Sequence, residues 1–167
     1  MQIRMDRKDR SPSIGDIKMS AVLTLATVEH LDRLLPMLAS FHAEEDIKIS
    51  DEQRAEGLTP LLEGCPHGVV YLIGPPRAPI GYIVISFGWS IEFGGMDGFV
   101  DELYVRPGVR GRGVASEVLI SLPRALADAG LKALHLEVDT DNADARRLYK
   151  RAGFSMRDGY HLMTRTF

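Results

Sequence analysis

Val100-Asp101-Glu102-Leu103-Tyr104-Val105-Arg106-Pro107-Gly108-Val109-Arg110-Gly111-Arg112-Gly113-Val114-Ala115-Ser116 is the stretch that decides the fold. It reads as a strand over Phe99 to Val105, a tight loop opened by Arg106-Pro107-Gly108, and a helix beginning near Val114. A strand feeding a glycine loop that opens a helix leaves several backbone N–H groups unpaired and pointing one way. With the helix dipole behind them, these groups form a site for an anion such as a pyrophosphate. Gly111 and Gly113 let a ligand approach the main chain where a Cβ would obstruct it, and Arg110 and Arg112 add positive charge at the rim. A glycine turn that merely joins strand to helix would look similar, so the pattern needs a second motif beside it.

Working outward, two kinds of phosphate loop are excluded. A nucleotide triphosphate loop ends in Gly-Lys followed by Ser or Thr, whereas here Gly113 is followed by Val114-Ala115-Ser116. A dinucleotide fold wants G-x-G-x-x-G after its first strand, with an acidic residue about 20 positions on. This loop stands in the last third of the chain and lacks the downstream glycine.

The length of 167 residues suits a single domain with one core. Apolar residues make up 45% and charged residues 26%, and the net charge of −3 offers no clustered basic face, so no nucleic-acid partner is expected. No apolar run reaches membrane-spanning length and no secretory pattern opens the chain, which leads to the expectation of a cytoplasmic protein without a membrane partner. The lone Cys65 sits in a turn-like Glu-Gly-Cys-Pro-His context with no grouped partner, fits a reducing compartment and reads as incidental. None of the five histidines has ligand spacing, so no metal is expected.

Residues 1–20 are polar, carry both signs of charge and show no apolar period, so they read as a flexible extension ahead of a single domain over 21–167. Ala21 to Thr27 suits a first strand. Leu31, Leu34, Leu35, Leu38 and Phe41 mark a helix over Glu29 to Glu45, with a kink or restart expected at Pro36. A second helix runs from Asp51 to Glu63, capped by Ser50 with Gln53 in its first turn. Between them, Phe41-His42-Ala43-Glu44-Glu45-Asp46 reads first as a solvated helix end, with an acidic wall for a cationic substrate as the functional alternative. Val69 to Ile73 and Ile80 to Phe87 form a hairpin around Gly74-Pro75-Pro76. The second run continues through Trp89 and Phe93, with Glu92 facing either water or a substrate, to a turn before the central strand.

Strict alternation along the central strand puts Phe99, Asp101, Leu103 and Val105 on one face and Val100, Glu102 and Tyr104 on the other. A strand apolar on both faces is buried, and carboxylates in it are costly unless paired or hydrated. Burial raises a carboxyl toward the range useful for proton transfer, so Asp101 and Glu102 are candidates either for chemistry or for a structural ion pair. After the loop, Ala115, Val118, Leu119, Leu122 and Leu126 form a helical stripe ending at Gly130, with a bend expected at Pro123. Leu131 to Val138 is the next strand, with Leu134, Leu136 and Val138 inward and His135, Glu137 and Asp139 opposite.

The second motif is Asn142-Ala143-Asp144-Ala145-Arg146-Arg147-Leu148-Tyr149-Lys150-Arg151-Ala152-Gly153-Phe154. Physically it is a well-built helix. Asn142 caps it, Asp144 complements its dipole, and Ala145, Leu148, Tyr149 and Ala152 give a buried stripe that Gly153 ends. Tyr160 to Thr166 is expected to be the final strand.

Together, Arg110, Gly113 and Ala115, spaced as (Q or R)-x-x-G-x-(G or A), and the later N-x-x-A-x-x-L-Y-x-x-x-G-F pattern resemble the two signature segments of the GNAT superfamily of N-acetyltransferases. The resemblance implies an α/β (α+β) fold: a mixed, mostly antiparallel central sheet, splayed at the acetyl-CoA site and flanked by helices on both faces. It implies acetyl-CoA as cosubstrate, with Arg110, Gly111, Arg112, Gly113, Val114, Ala115 and Ser116 holding the pyrophosphate. The pantetheine arm would pair with the main chain of Leu103, Tyr104 and Val105 and meet Asn142. Tyr149 stands where the family's general acid stands. Ala115 in place of the commoner glycine is allowed by the pattern, while Pro123 is unusual within that helix. A homodimer is an option that many relatives take.

The chemistry follows. An amine is protonated at neutral pH and only its neutral form attacks a thioester, so the enzyme must remove one proton and supply another to the departing thiolate. No covalent acyl-enzyme is needed. Tyr149 is the candidate acid, Asp101 and Glu102 are the candidate bases, and Glu137 is in reserve because it matches a base in relatives resembling protein N-terminal acetyltransferases. Asp101-Glu102-Leu103-Tyr104-Val105 looks more like the E-D-F-F-V segment of polyamine acetyltransferases, which favours a small cationic amine such as a polyamine or aminoglycoside. A peptide acceptor and a non-catalytic CoA-binding module are the alternatives.

Overall fold

The computed structural model describes residues 22–167, so the expected extension over residues 1–20 lies outside them. Among the described residues a five-stranded sheet is ordered β1 (Leu23–Leu25), β2 (Gly68–Ile73), β3 (Gly81–Ser90), β4 (Gly95–Val105) and β5 (Ala133–His135). The first four strands are antiparallel neighbours in chain order, and β5 joins β4 in parallel. This is the mixed, mostly antiparallel sheet implied by the sequence.

Helices cover both faces. On one side α1 (Leu31–Glu44) and α2 (Asp51–Leu62) bury Leu34, Met37, Leu38, Leu58 and Leu62 against Val70, Leu72, Tyr82, Val84 and Tyr104. On the other, α3 (Val114–Asp128) buries Val118, Leu122 and Leu126 against Ile73, Ile83, Ile85 and Val100. The last helix, α4 (Ala143–Arg151), follows β5. Its expected buried stripe is only half-buried.

Local signals act as expected at the helix starts. Ser50 Oγ accepts from the Gln53 N–H at 3.2 Å while Gln53 Oε1 accepts from the Ser50 N–H at 2.8 Å, a reciprocal cap on α2. Asn142 Oδ1 accepts from the Ala145 N–H at 3.0 Å and opens α4. Pro36 and Pro123 each lie inside a helix that runs on without interruption, so neither restarts the chain. After Pro36, Ser40 Oγ donates to the Pro36 carbonyl at 2.9 Å.

Four expectations are corrected. β5 spans Ala133–His135 rather than Leu131 to Val138, and β1 spans only Leu23–Leu25. Residues 160–167 form no strand, because the three-residue β5 offers too short an edge to template one. Strict alternation along β4 also fails. Val84 pairs with Glu102 but Ile85 with Val100, so Asp101 is the extra residue of a β-bulge. Val100 therefore packs on the α3 side, while Glu102 and Tyr104 face α1 and α2.

Candidate active site

β4 pairs with β5 only at Asp97, Gly98 and Phe99. Beyond Phe99 it continues to Val105 with no neighbouring strand on that side among the described residues. The β4 edge is therefore uncovered along Leu103, Tyr104 and Val105, with the Val105 carbonyl accepting from Arg110. A cleft forms at this opening, lined by Phe41, Glu44, Glu45, Leu103, Tyr104, Val105, Arg110, Ala115, Leu148 and Tyr149.

The loop after β4 is built for its turn. Gly111 and Gly113 have φ of +75° and +80°, left-handed values that side-chain-bearing residues adopt only at a cost. Nothing lies within 4 Å of where a Cβ would sit on either. Conformation alone thus requires these glycines, and the space beside both is open. Gly113 is the N-cap of α3 and no side chain caps the helix, so the first-turn N–H groups face outward with the dipole behind them.

Arg110 does not stand free at the rim. Its Nε–H donates to the Val105 carbonyl at 2.7 Å, its NH2 group donates to Glu44 at 2.8 and 2.9 Å, and its guanidinium lies over the Tyr104 ring at 5.5 Å. It fastens the loop to β4 and to the end of α1. Arg112 is exposed.

Tyr149, half-buried on α4, packs edge-on against Phe154 with ring centroids 6.2 Å apart. Burial first, then the negative charge of Glu45, raises its phenol above the ordinary range. It stays protonated at neutral pH and can donate. Glu45 therefore belongs to the cleft wall, while Glu44 is engaged by Arg110. The Phe41–Asp46 segment is thus only partly the solvated end expected of it, and His42 within it is buried.

The bulge takes Asp101 out of the alternation and leaves it unpaired beside Glu102. Asp101 remains solvent-accessible, yet burial, followed by the like charge of Glu102, raises its carboxyl above the ordinary value, with His42 working in the opposite direction. Glu102 accepts from Tyr82 Oη at 2.6 Å and lies 2.7 Å from His42 Nε2. Neither carboxylate lines the cleft; both lie just before Leu103 on β4. Glu137 lies beyond β5 and is exposed, and Glu92 pairs with Arg157 at 3.1 Å on the surface. Asn142 is exposed, with its side-chain oxygen used as the α4 cap. The structure therefore gathers Tyr149, Leu103, Tyr104, Val105, Arg110 and Ala115 in one cleft, with Gly111, Arg112, Gly113, Val114 and Ser116 continuing the same loop and helix start. His42 and Arg54 were missed from the sequence. The available signal was that His42 lies four residues beyond Leu38, in the buried stripe of α1.

An opened sheet edge beside a glycine loop and a helix N-terminus is the arrangement that the resemblance to acetyltransferases implied. The acetyltransferase (GNAT) family matches residues 32–154, and the chain belongs to that family. It is 30% identical over 138 residues to the thialysine N-epsilon-acetyltransferase of Bos taurus, covering 77% of this chain and 81% of that protein. An integron cassette protein from the mobile metagenome of Cole Harbour Salt Marsh superposes with a TM-score of 0.73 at 30% identity, over 86% of this chain and 89% of the other. The fold alone is shared with AAC(6')-Iy, solved with the bisubstrate analogue CoA-S-monomethyl-acetylneamine, at a TM-score of 0.70 and 15% identity over 88% and 99% of the two chains. The protein is an acetyl-CoA-dependent N-acetyltransferase, and the family assignment sets aside the non-catalytic alternative.

Proposed function

We propose that this enzyme acetylates the primary amine of a small cationic acceptor, of the class that includes thialysine and the polyamines. The observation that carries the reading is the cleft at the end of β4, where an uncovered strand edge meets a phenol kept protonated and an acidic wall ending in Glu45. The bovine relative is named for acetylating the N-epsilon of thialysine, itself a small amine.

The residues present fit acetyl-CoA. The N–H groups from Gly111 to Ser116 suit its pyrophosphate, Arg110 fastens that loop, and the β4 edge over Leu103 to Val105, which no strand covers, suits the amide-bearing pantetheine arm, which Asn142 would meet. Acetyl-CoA supplies the acetyl group as a thioester. Asp101, with its raised carboxyl, accepts the proton that the ammonium of the acceptor must lose, directly or through a water. Glu102 supplies a fixed negative charge beside it. Tyr149 gives its phenolic proton to the departing sulfur and is reprotonated from solvent. Two carboxyl groups whose surroundings set them apart are a common basis for dividing such roles.

The test is initial-rate thiol release from acetyl-CoA with thialysine, lysine, spermidine, an aminoglycoside and short peptides, against a no-amine control. Turnover on the small flexible amines with an Asp101→Asn variant nearly inactive is the expected result. Turnover confined to peptides would overturn the acceptor class, and a fully active Asp101→Asn enzyme would overturn the base.

A further inference from the structure

Between α1, α2 and the central strands lies a chain of polar side chains that these steps leave unused. Arg54, whose side chain is 12% exposed, donates from NH1 to Asp51 at 2.6 Å and from Nε to His42 Nδ1 at 3.1 Å. His42, 4% exposed, meets Glu102 Oε1 through Nε2 at 2.7 Å, and Tyr82 Oη donates to Glu102 Oε2 at 2.6 Å. No buried side-chain polar atom among the described residues is left without a partner.

The direction of this chain follows from donor chemistry. A guanidinium only donates and does not lose its proton. His42 Nδ1 must therefore accept from Arg54, so the ring's single proton is on Nε2, pointing at Glu102. Both oxygens of Glu102 then accept, one from an imidazole and one from a phenol, which is the bonding of an ionised carboxylate. Tyr82 is pushed far above the phenol range by burial and by Glu102, so it remains a donor.

We infer that Arg54 and His42 are positioning residues that hold Glu102 ionised and fixed beside the bulge, so that its charge sets the pH at which Asp101 takes its proton. The inference rests on the reading of Asp101 as proton acceptor. The groups facing this pair are His42 from α1, Arg54 with Asp51 from α2, Tyr82 from β3, and Tyr104 from β4. Glu44 is engaged by Arg110, and Glu45 acts on Tyr149.

The experiment is the pH profile of kcat/KM, read on its acidic limb. Glu102→Gln removes the like charge beside Asp101 and should move the limb down by about 1 pH unit. His42→Leu removes one of the two donors that favour ionised Glu102, so it should weaken the same like charge and move the limb down, by less than Glu102→Gln. His42→Gln, whose amide can accept from Arg54 and donate to Glu102, should restore the wild-type position. Two downward shifts, the smaller from His42→Leu, support the inference, whereas limbs that stay put while rates fall, or an upward shift from His42→Leu, overturn it. A limb abolished by Glu102→Gln would make Glu102 itself the base and overturn it too. Should His42→Leu fail to fold, imidazole 15N shifts of the wild-type protein decide. A ring carrying a single proton, on Nε2, is expected at the pH of maximal activity; an imidazolium or an Nδ1–H ring refutes the relay. Full activity of Asp101→Asn with an intact limb, by contrast, refutes the proposed base rather than the relay.

Discussion

Gly113 can be made to separate folding from phosphate binding. It caps α3 at φ +80° and ψ 4°, and a Cβ built there meets nothing within 4 Å. Gly113→Ala therefore pays left-handed strain without a clash, about 1–2 kcal/mol. For a domain of this size that lowers Tm by roughly 2–8 °C. Gly113→Asp tolerates the left-handed region better, and its carboxylate faces the free N–H groups of the first turn, returning about 0.5–1 kcal/mol. Without ligand, the Asp variant should melt above the Ala variant. With CoA the order should reverse, because the carboxylate sits where the pyrophosphate belongs. A unit charge at ~5 Å and an effective dielectric of ~40 opposes each phosphate by about 1.7 kcal/mol, so two phosphates cost about 3 kcal/mol. That is roughly 100-fold in Kd. Calorimetric titration of CoA into wild type, Gly113→Ala and Gly113→Asp, with melting curves for each, reads both orders. An Asp variant that binds CoA within threefold of the Ala variant would remove the pyrophosphate from this loop.

Other residues give sharper single outcomes. Tyr149→Phe keeps the ring packed on Phe154 but removes the proton donor, so kcat should fall about 100-fold while the Kd for CoA holds within twofold; unchanged kcat would mean another acid. The folded protein holds the Asp101 carboxyl above its ordinary value, chiefly through burial, so its protonated form favours folding, and that contribution is lost as pH rises through the folded pKa. Asp101→Asn should accordingly be more stable than wild type at pH 7 and lose that advantage by about pH 3; urea unfolding at both pH values checks it, and a less stable variant at pH 7 contradicts it. Gly81→Ala would press a Cβ onto the Tyr104 carbonyl oxygen and within 3.2 Å of Val105 Cα, both main chain. A loss of more than about 3 kcal/mol is expected, and a wild-type melting curve would show that the β3–β4 pairing tolerates what the geometry forbids.

Features set by a few adjacent residues were legible in the sequence. The loop at Arg106 to Gly113, the Ser50–Gln53 cap and the Asn142 cap each depend on neighbours in the chain, and each took the expected form. The C-terminal strands were not legible. The spacing of Leu162, Thr164 and Thr166 suits a strand, but a strand exists only where an edge accepts it. β5 is three residues long, and Leu162, Met163 and Phe167 remain exposed.

The site itself turned on one residue that periodicity hides. A period of two assigns Asp101 and Glu102 to opposite faces of β4, which would aim one carboxylate into the core beneath α3. The buried side chains of that core, among them Val118, Leu122, Leu126, Ile83 and Ile85, are apolar, and an ion left there without a partner would cost several kcal/mol. The bulge at Asp101 removes the conflict by spending one unpaired residue. Val100 drops into the α3 core opposite Ile85, and Glu102 turns to His42 and Tyr82 opposite Val84. Asp101 is left between them, near enough to Glu102 to feel its charge and open enough to exchange a proton. The same irregularity that preserves the apolar core thereby creates the carboxyl pair.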